Sequence, residues 1–204
     1  MTLALIAFLV ATVIPVFFGK IHSAPFWLSA QAAALAWNVA VQGDPSLHTV
    51  VALGEVMLVR AFIAPRLLRR AILRRGEPNL DLMPSNLFTW AIAITLAVLA
   101  FGFAAPAMGD RQALTLGIVA TTVSLSLLLL STNGSQAAQL VALLCMENAL
   151  ALFESLLPEP WPLPVHGALG AIYLLTVFVG SWLIATPDAA PALPTAAAEP
   201  GAQP

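Results

Sequence analysis

Glu147 lies near the middle of an apolar run from Ala137 to Leu157, followed at once by Asn148 and seven residues later by Glu154. Ionising an acid in hydrocarbon costs about 2.5 kcal/mol or more even on lenient insertion scales, so such an acid must face protein or water. Two chemistries fit it: a protonatable relay group, or a neutral acid that hydrogen-bonds two helices together. At about 100° per residue, positions seven apart point within about 20° of each other, about 10.5 Å apart along the axis. That is too far for direct proton transfer, so water or another side chain must bridge the two acids. Ala151 lies between them on the same face and is small enough to leave room for it. Asn148 offers a donor that could hold an acid neutral. Glu154 falls within a turn of the helix end, where a hydrated interfacial carboxylate fits as well as a relay.

A second set is His48, Glu55 and Arg60. His48 and Glu55 are again seven apart and share a helical face, with Glu55 near mid-depth. Arg60 is five residues beyond Glu55, about 140° away around an α-helix, which is poor geometry for a salt bridge between them. Each is expected to find its partner elsewhere, and Arg60 lies near enough to a helix end to snorkel. Gln31 and Asn38 repeat the spacing of seven and suit interhelical hydrogen bonds. Tyr173 and His166 fall on the last segment, where both could meet the helix of Glu147, although His166 also reads as interfacial.

Catalytic constellations are absent. No His/Asp/Glu set has metal-ligand spacing, and there is no phosphate loop, nucleophile elbow or haem pair in a convincing helical context. The single cysteine, Cys145, excludes an intrachain disulfide framework, a Cys-ligated iron–sulfur cluster and a Cys-based zinc site, and reads as a small apolar residue. A net charge of −2 gives no basic surface for nucleic acid.

The elements that must position these groups are membrane helices. Only 9% of the 204 residues are charged, and the mean hydropathy is +0.91; soluble domains carry about 25% charge. Seven apolar segments of spanning length are predicted at about 2–19, 25–42, 47–66, 86–105, 113–131, 137–157 and 165–186. They make an all-α, polytopic, single transmembrane domain over 1–186. The first segment lacks a basic leader and reads as a retained helix rather than a signal peptide. The second is diluted by Gln31, Trp37 and Asn38 and could lie tilted or at the interface. The Pro/Ala-rich tail 187–204 is expected to be disordered. Six of the eight basic residues fall between Arg60 and Arg75. That places the loop after the third segment in the cytoplasm, the N-terminus outside and the tail inside. Trp161, in the loop after the sixth segment, then faces outward and suits an interfacial belt. Arg66, Arg69, Arg70, Arg74 and Arg75 are read as fixing topology and touching lipid phosphates.

The stretch Glu55-Val56-Met57-Leu58-Val59-Arg60-Ala61-Phe62-Ile63-Ala64-Pro65-Arg66-Leu67-Leu68-Arg69-Arg70, followed by Glu77-Pro78, resembles component E of the hydrogenase-4 type membrane complexes. Gln139 to Ala149, with Glu147-Asn148 inside it, is similar to that family's Gln…Glu-Asn-Gly segment. The family's last three helices are similar to the three-helix K subunit of respiratory complex I, and Glu147 matches the membrane glutamate of its middle helix. The resemblance covers about residues 50 to 186. The chain departs from it at Asn133-Gly134-Ser135, where the family has a basic residue, at Ala149 in place of glycine, and near Tyr173, where the final helix usually carries an acid. Glu154 could substitute for that acid from the neighbouring helix.

The resemblance implies a non-catalytic membrane-arm subunit of a complex I-like or group-4 hydrogenase-type redox complex in the inner membrane of a prokaryote. Its partners would be antiporter-like proton- or sodium-translocating subunits, other membrane and peripheral redox subunits, and lipid. No cofactor belongs to this chain; iron–sulfur clusters, with a nickel–iron site as an option, would sit in the partner subunits. Glu147 would be the central relay, with Glu154, Glu55, Arg60, Asn148, Tyr173 and His48 as the flanking polar and charged groups. Two other readings are a stand-alone small ion transporter or channel and a purely structural linker.

Overall fold

The apolar runs fold as helices because no water is available in hydrocarbon to satisfy a bare backbone. The computed structural model describes residues 2–43, 46–76, 80–84, 86–105, 110–157 and 161–186. Seven helical rods are found there: α1 (Thr2–Phe18), α2 (Ala24–Gln42), α3 (Leu47–Arg75), α4 (Leu87–Ala104), α5 (Asp110–Thr132), α6 (Gln136–Phe153) and α7 (Leu163–Ala185). A short 3₁₀ turn, Glu154–Leu156, extends α6. Five of the rods, α3 to α7, are long and apolar enough to cross a membrane, and α1 is a shorter apolar helix. The chain is an all-α polytopic membrane protein. The tail 187–204 lies outside the described residues.

Local chemistry sets several ends. The Ser46 hydroxyl accepts from the Thr49 amide at 3.2 Å at the start of α3, and Asn86 Oδ1 accepts from the Thr89 amide at 2.7 Å at the start of α4. These are N-caps, which satisfy a backbone donor the helix leaves bare. Gly76, at φ 75°, closes α3 in the left-handed conformation favoured by glycine.

One feature departs from the sequence expectation. The arginine run is not a loop: α3 continues through Arg66, Arg69 and Arg70 to Arg75, making a rod of 29 residues. The second segment, diluted by polar residues, is a helix of 19 residues, α2. It packs on α1, α6 and the middle of α3, and buries Leu28, Gln31, Leu35 and Asn38. Its low hydropathy follows from facing protein, where polar side chains find partners, rather than lipid.

Midway along α3 the ladder changes. Val56–Ile63 is π-helical, and the Ala64 amide bonds back five residues to the Val59 carbonyl. Pro65 follows directly. A proline ring inside an α-helix clashes with the carbonyl four residues back, here Ala61, and a wider turn relieves that clash.

The arginine end of the bundle is closed by residues 80–84, between α3 and α4. The Ile21 amide donates to the Leu80 carbonyl and the Leu82 amide to the Gly19 carbonyl, both at 2.9 Å. Asn133 Nδ2, between α5 and α6, donates to the Leu82 carbonyl at 2.7 Å. The Leu82 and Met83 side chains are buried in the main core against α1, α2 and α6 residues. Leu82→Ala should therefore leave a cavity under the strap and cost about 2–5 kcal/mol. The check is a lower midpoint of denaturant unfolding in micelles relative to Leu80→Ala, whose side chain is exposed.

Candidate functional site: a buried charge line

The π turn decides which side chains meet. Closure of the ladder at five residues stacks positions five apart as an α-helix stacks positions four apart. Arg60 Nε accordingly donates to both Glu55 oxygens, at 3.0 and 3.3 Å. The expectation that these two could not pair on one helix is wrong, because it assumed α geometry. Nor does Arg60 snorkel to a helix end, one of the two readings its position allowed: it is 4% exposed and points into the bundle.

The guanidinium is tied on several sides. Its Nη1 donates to the Glu147 backbone carbonyl at 3.1 Å and to Asn148 Oδ1 at 3.2 Å, both on α6. Its Cζ lies 4.3 Å from the centroid of the Tyr173 ring on α7. Asn148 Nδ2 donates to Gln31 Oε1 at 2.9 Å, Gln31 Nε2 to Thr12 Oγ1 at 2.7 Å, and Thr12 Oγ1 to the Phe8 carbonyl at 3.0 Å. One hydrogen-bonded chain thus runs from α3 through α6 and α2 to α1, and its side chains on α1, α2 and α6 are all buried.

Asn148 therefore does not hold the neighbouring acid, as its position beside Glu147 suggested. Adjacent residues of an α-helix point about 100° apart, and Asn148 faces the bundle axis while Glu147 faces α7. Glu147 Oε1 accepts instead from Thr176 Oγ1 at 3.1 Å. Thr176 was not singled out from the sequence; a threonine in an apolar helix gives no signal until its neighbour is known.

From Glu55 the line continues toward the end of the bundle opposite the arginine run. Glu55 Oε2 lies 3.9 Å from His166 Nε2, and His166 Nδ1 lies 3.4 Å from Glu154 Oε2. His166 is buried and meets the end of α6 at Glu154, as its place on the last segment allowed. His48 reaches the same place without touching Glu55: its ring centroid is 5.6 Å from that of His166, and its Nε2 bonds the Trp161 carbonyl at 2.9 Å. The Trp161 amide in turn donates to Glu154 Oε1 at 3.1 Å. Trp161 thus serves this site through its backbone, in addition to any role of its ring at an interface.

Two cavities flank the line. One, about 240 Å³, is lined by Arg60, Glu147, Ala151, Glu154 and His166 together with apolar residues of α6 and α7. The other, about 340 Å³, is lined by Asn38, Gln42, His48, Thr49, Ala151 and Glu154 among others. Each has room for several waters. Glu147 and Glu154 face the same cavity, and Ala151 and Glu154 stand in the walls of both. The seven residues named from the sequence as relay and flanking groups, Glu147, Glu154, Glu55, Arg60, Asn148, Tyr173 and His48, converge on this one region.

The arrangement can do two things chemically. It holds a buried cation paired and hydrogen-bonded, and it sets carboxylates and an imidazole at spacings that a proton can cross directly or through a few waters. No protein-family profile, curated protein or solved structure matches this chain. Fold and site define a multi-pass helical membrane protein built around an internal line of titratable groups.

Removing one member of a buried ion pair leaves its partner uncompensated, at about 3–5 kcal/mol, whereas replacing both can be far less costly. Arg60→Met should therefore lower the unfolding temperature in micelles markedly, and adding Glu55→Gln to it should restore part of the loss. Equal stability of the single variant and wild type would contradict the pairing.

Proposed function

We propose that this chain is a non-catalytic membrane-arm subunit of a complex I-like or group-4 hydrogenase-type redox complex, relaying protons or charge between a redox module and antiporter-like subunits. The observation that carries the relay is the unbroken series Arg60, Glu55, His166, Glu154, each within 4 Å of the next, running beside a cavity that also holds Glu147. An intramembrane acid that only glues helices together needs hydrogen-bond partners, not a water-sized chamber beside it.

Glu147 is the central group of this reading. Its carboxyl is not locked into the guanidinium, which binds the Glu147 carbonyl rather than its side chain. It is held by a single neutral hydroxyl and can exchange a proton without breaking an ion pair. The chamber wall includes Leu150 and Ile172, which are 44% and 54% exposed. It therefore abuts the lipid-facing flank of α6 and α7, where a neighbouring membrane subunit would shield the acid from hydrocarbon. The choice of partners rests on the sequence resemblance: the Arg60-to-Arg70 stretch and the Glu147-Asn148 pair. In this reading the arginine end lies in the cytoplasm of a prokaryotic cell, the mouth near Glu154 faces outward, and all metal–sulfur redox centres belong to other subunits.

The test is Glu147→Gln in the assembled complex, which keeps shape and hydrogen bonding and removes titration. Electron transfer should continue while pumped protons per turnover fall by at least half, with Glu147→Asp recovering part of the yield. Wild-type pumping by an intact Glu147→Gln complex overturns the relay. Purification of the chain alone from its native membrane, with proton flux when it is reconstituted by itself, overturns the subunit assignment instead.

A further inference from the structure

The tertiary fold assembles a ligand set that no spacing in the sequence announces. His48, at the start of α3, Glu154, at the end of α6, and His166, at the start of α7, each offer one donor atom, and the three atoms lie within 4.8 Å of one another. His166 Nδ1 and Glu154 Oε2, at 3.4 Å, are already about as far apart as two ligands of a tetrahedral zinc, given bond lengths of about 2.0–2.2 Å.

The surroundings are those that metal ligands need. Ligating histidines hand their other ring nitrogen to a carbonyl or carboxylate, which fixes the tautomer and the ring. His48 Nε2 meets the Trp161 carbonyl at 2.9 Å; with its proton given there, Nδ1 carries the lone pair. His166 Nε2 faces the Glu55 carboxylate at 3.9 Å, leaving Nδ1 toward Glu154. Glu154 Oε1 is engaged by the Trp161 amide at 3.1 Å, which leaves Oε2. A second observation is independent of this spacing. The His166 side chain is 10% exposed, and neither ring nitrogen has a hydrogen-bond partner among the described residues. A buried imidazole without aligned hydrogen bonds, facing carboxylate oxygens at 3.4 and 3.9 Å, is satisfied by taking up a proton or a metal ion.

We propose that His48, Glu154 and His166 form a binding site for a divalent transition metal, with zinc the best fit to two imidazoles and a carboxylate. The fourth position is open to water. The cavity of about 340 Å³ lined by His48 and Glu154 gives the ion a way in from the end of the bundle. An ion there ties the start of α3 to the α6–α7 connection, two parts of the chain far apart in sequence. It would also engage two members of the charge line, a consequence that rests on the reading given above; the binding itself does not.

Cobalt(II) provides the test, because four-coordinate cobalt absorbs visible light and zinc displaces it. The purified full chain in nanodiscs is titrated with cobalt, then zinc. Wild type should bind one ion per chain with visible bands that zinc bleaches. His48→Gln, Glu154→Gln and His166→Gln should each weaken binding by at least tenfold, while His22→Gln, at the opposite end of the bundle, should leave it unchanged. X-ray absorption of the zinc-loaded wild-type chain decides independently of whether any variant folds: a nitrogen/oxygen shell with two imidazoles is expected. Absence of a bound ion, a zinc shell with fewer than two imidazoles, or binding by the three variants equal to wild type overturns the site.

Discussion

A guanidinium held midway along a membrane helix is the constraint around which this bundle is arranged. An unpaired charge at that depth is not tolerated, and pairing alone does not suffice, because a guanidinium has five donors and each needs an acceptor. Arg60 engages three of them with a carboxylate on its own helix and a backbone carbonyl and an amide on α6, and lays its guanidinium over the face of Tyr173 on α7. Three helices are thereby fixed in register at one point. The cation–π contact is stronger there than on a wet surface, since little solvent competes for the guanidinium.

The constraint propagates. Asn148 accepts from Arg60 and must use its own amide hydrogens elsewhere, so α2 has to present Gln31, and Gln31 needs Thr12 on α1. Polar residues in α2 thus reflect the satisfaction of a network begun two helices away. Partial removal of such a network is more harmful than its absence, because each truncated partner leaves a buried polar atom bare. Small residues make the approach possible: Gly170 brings the α7 backbone so close to Glu55 that an added Cβ would sit 3.3 Å from Glu55 Cγ.

How much of this was legible in the sequence depends on which helical period holds. Helix existence, the all-α class and the depth of Glu147 and Glu55 follow from hydropathy and length, and the convergence of the polar residues on one region agrees with their spacing of seven. The pairing of Glu55 with Arg60 did not follow, since the α period gives the wrong angle once the ladder widens ahead of Pro65. Charge density alone marked Arg66 to Arg75 as lying outside the hydrocarbon, but it does not distinguish a loop from a helix that continues past it. That His166 could meet α6 followed from its place on the last segment, but its role did not. Its value comes from Glu55 on α3 and Glu154 on α6, and no one-dimensional pattern relates positions 55, 154 and 166. The same holds for Thr176 and for the backbone of Trp161.

Glu154 stands where the two cavities meet, and its chemistry explains why a carboxylate suits the place. One oxygen holds the Trp161 amide and so pins the segment that enters α7; the other faces His166. An amide side chain could accept from the backbone with its oxygen, but its other end would present donors, not a lone pair, to the imidazole. A hydroxyl is too short to reach both. Only a side chain with two acceptor oxygens can anchor the backbone and still offer a free lone pair toward His166. That free oxygen lies between the chamber holding Glu147 and the one holding His48, with only Ala151 beside it in both walls. In the relay proposed above, passage of a proton between the two cavities would depend on what that oxygen binds, whether a proton, a neighbouring imidazole or a metal ion.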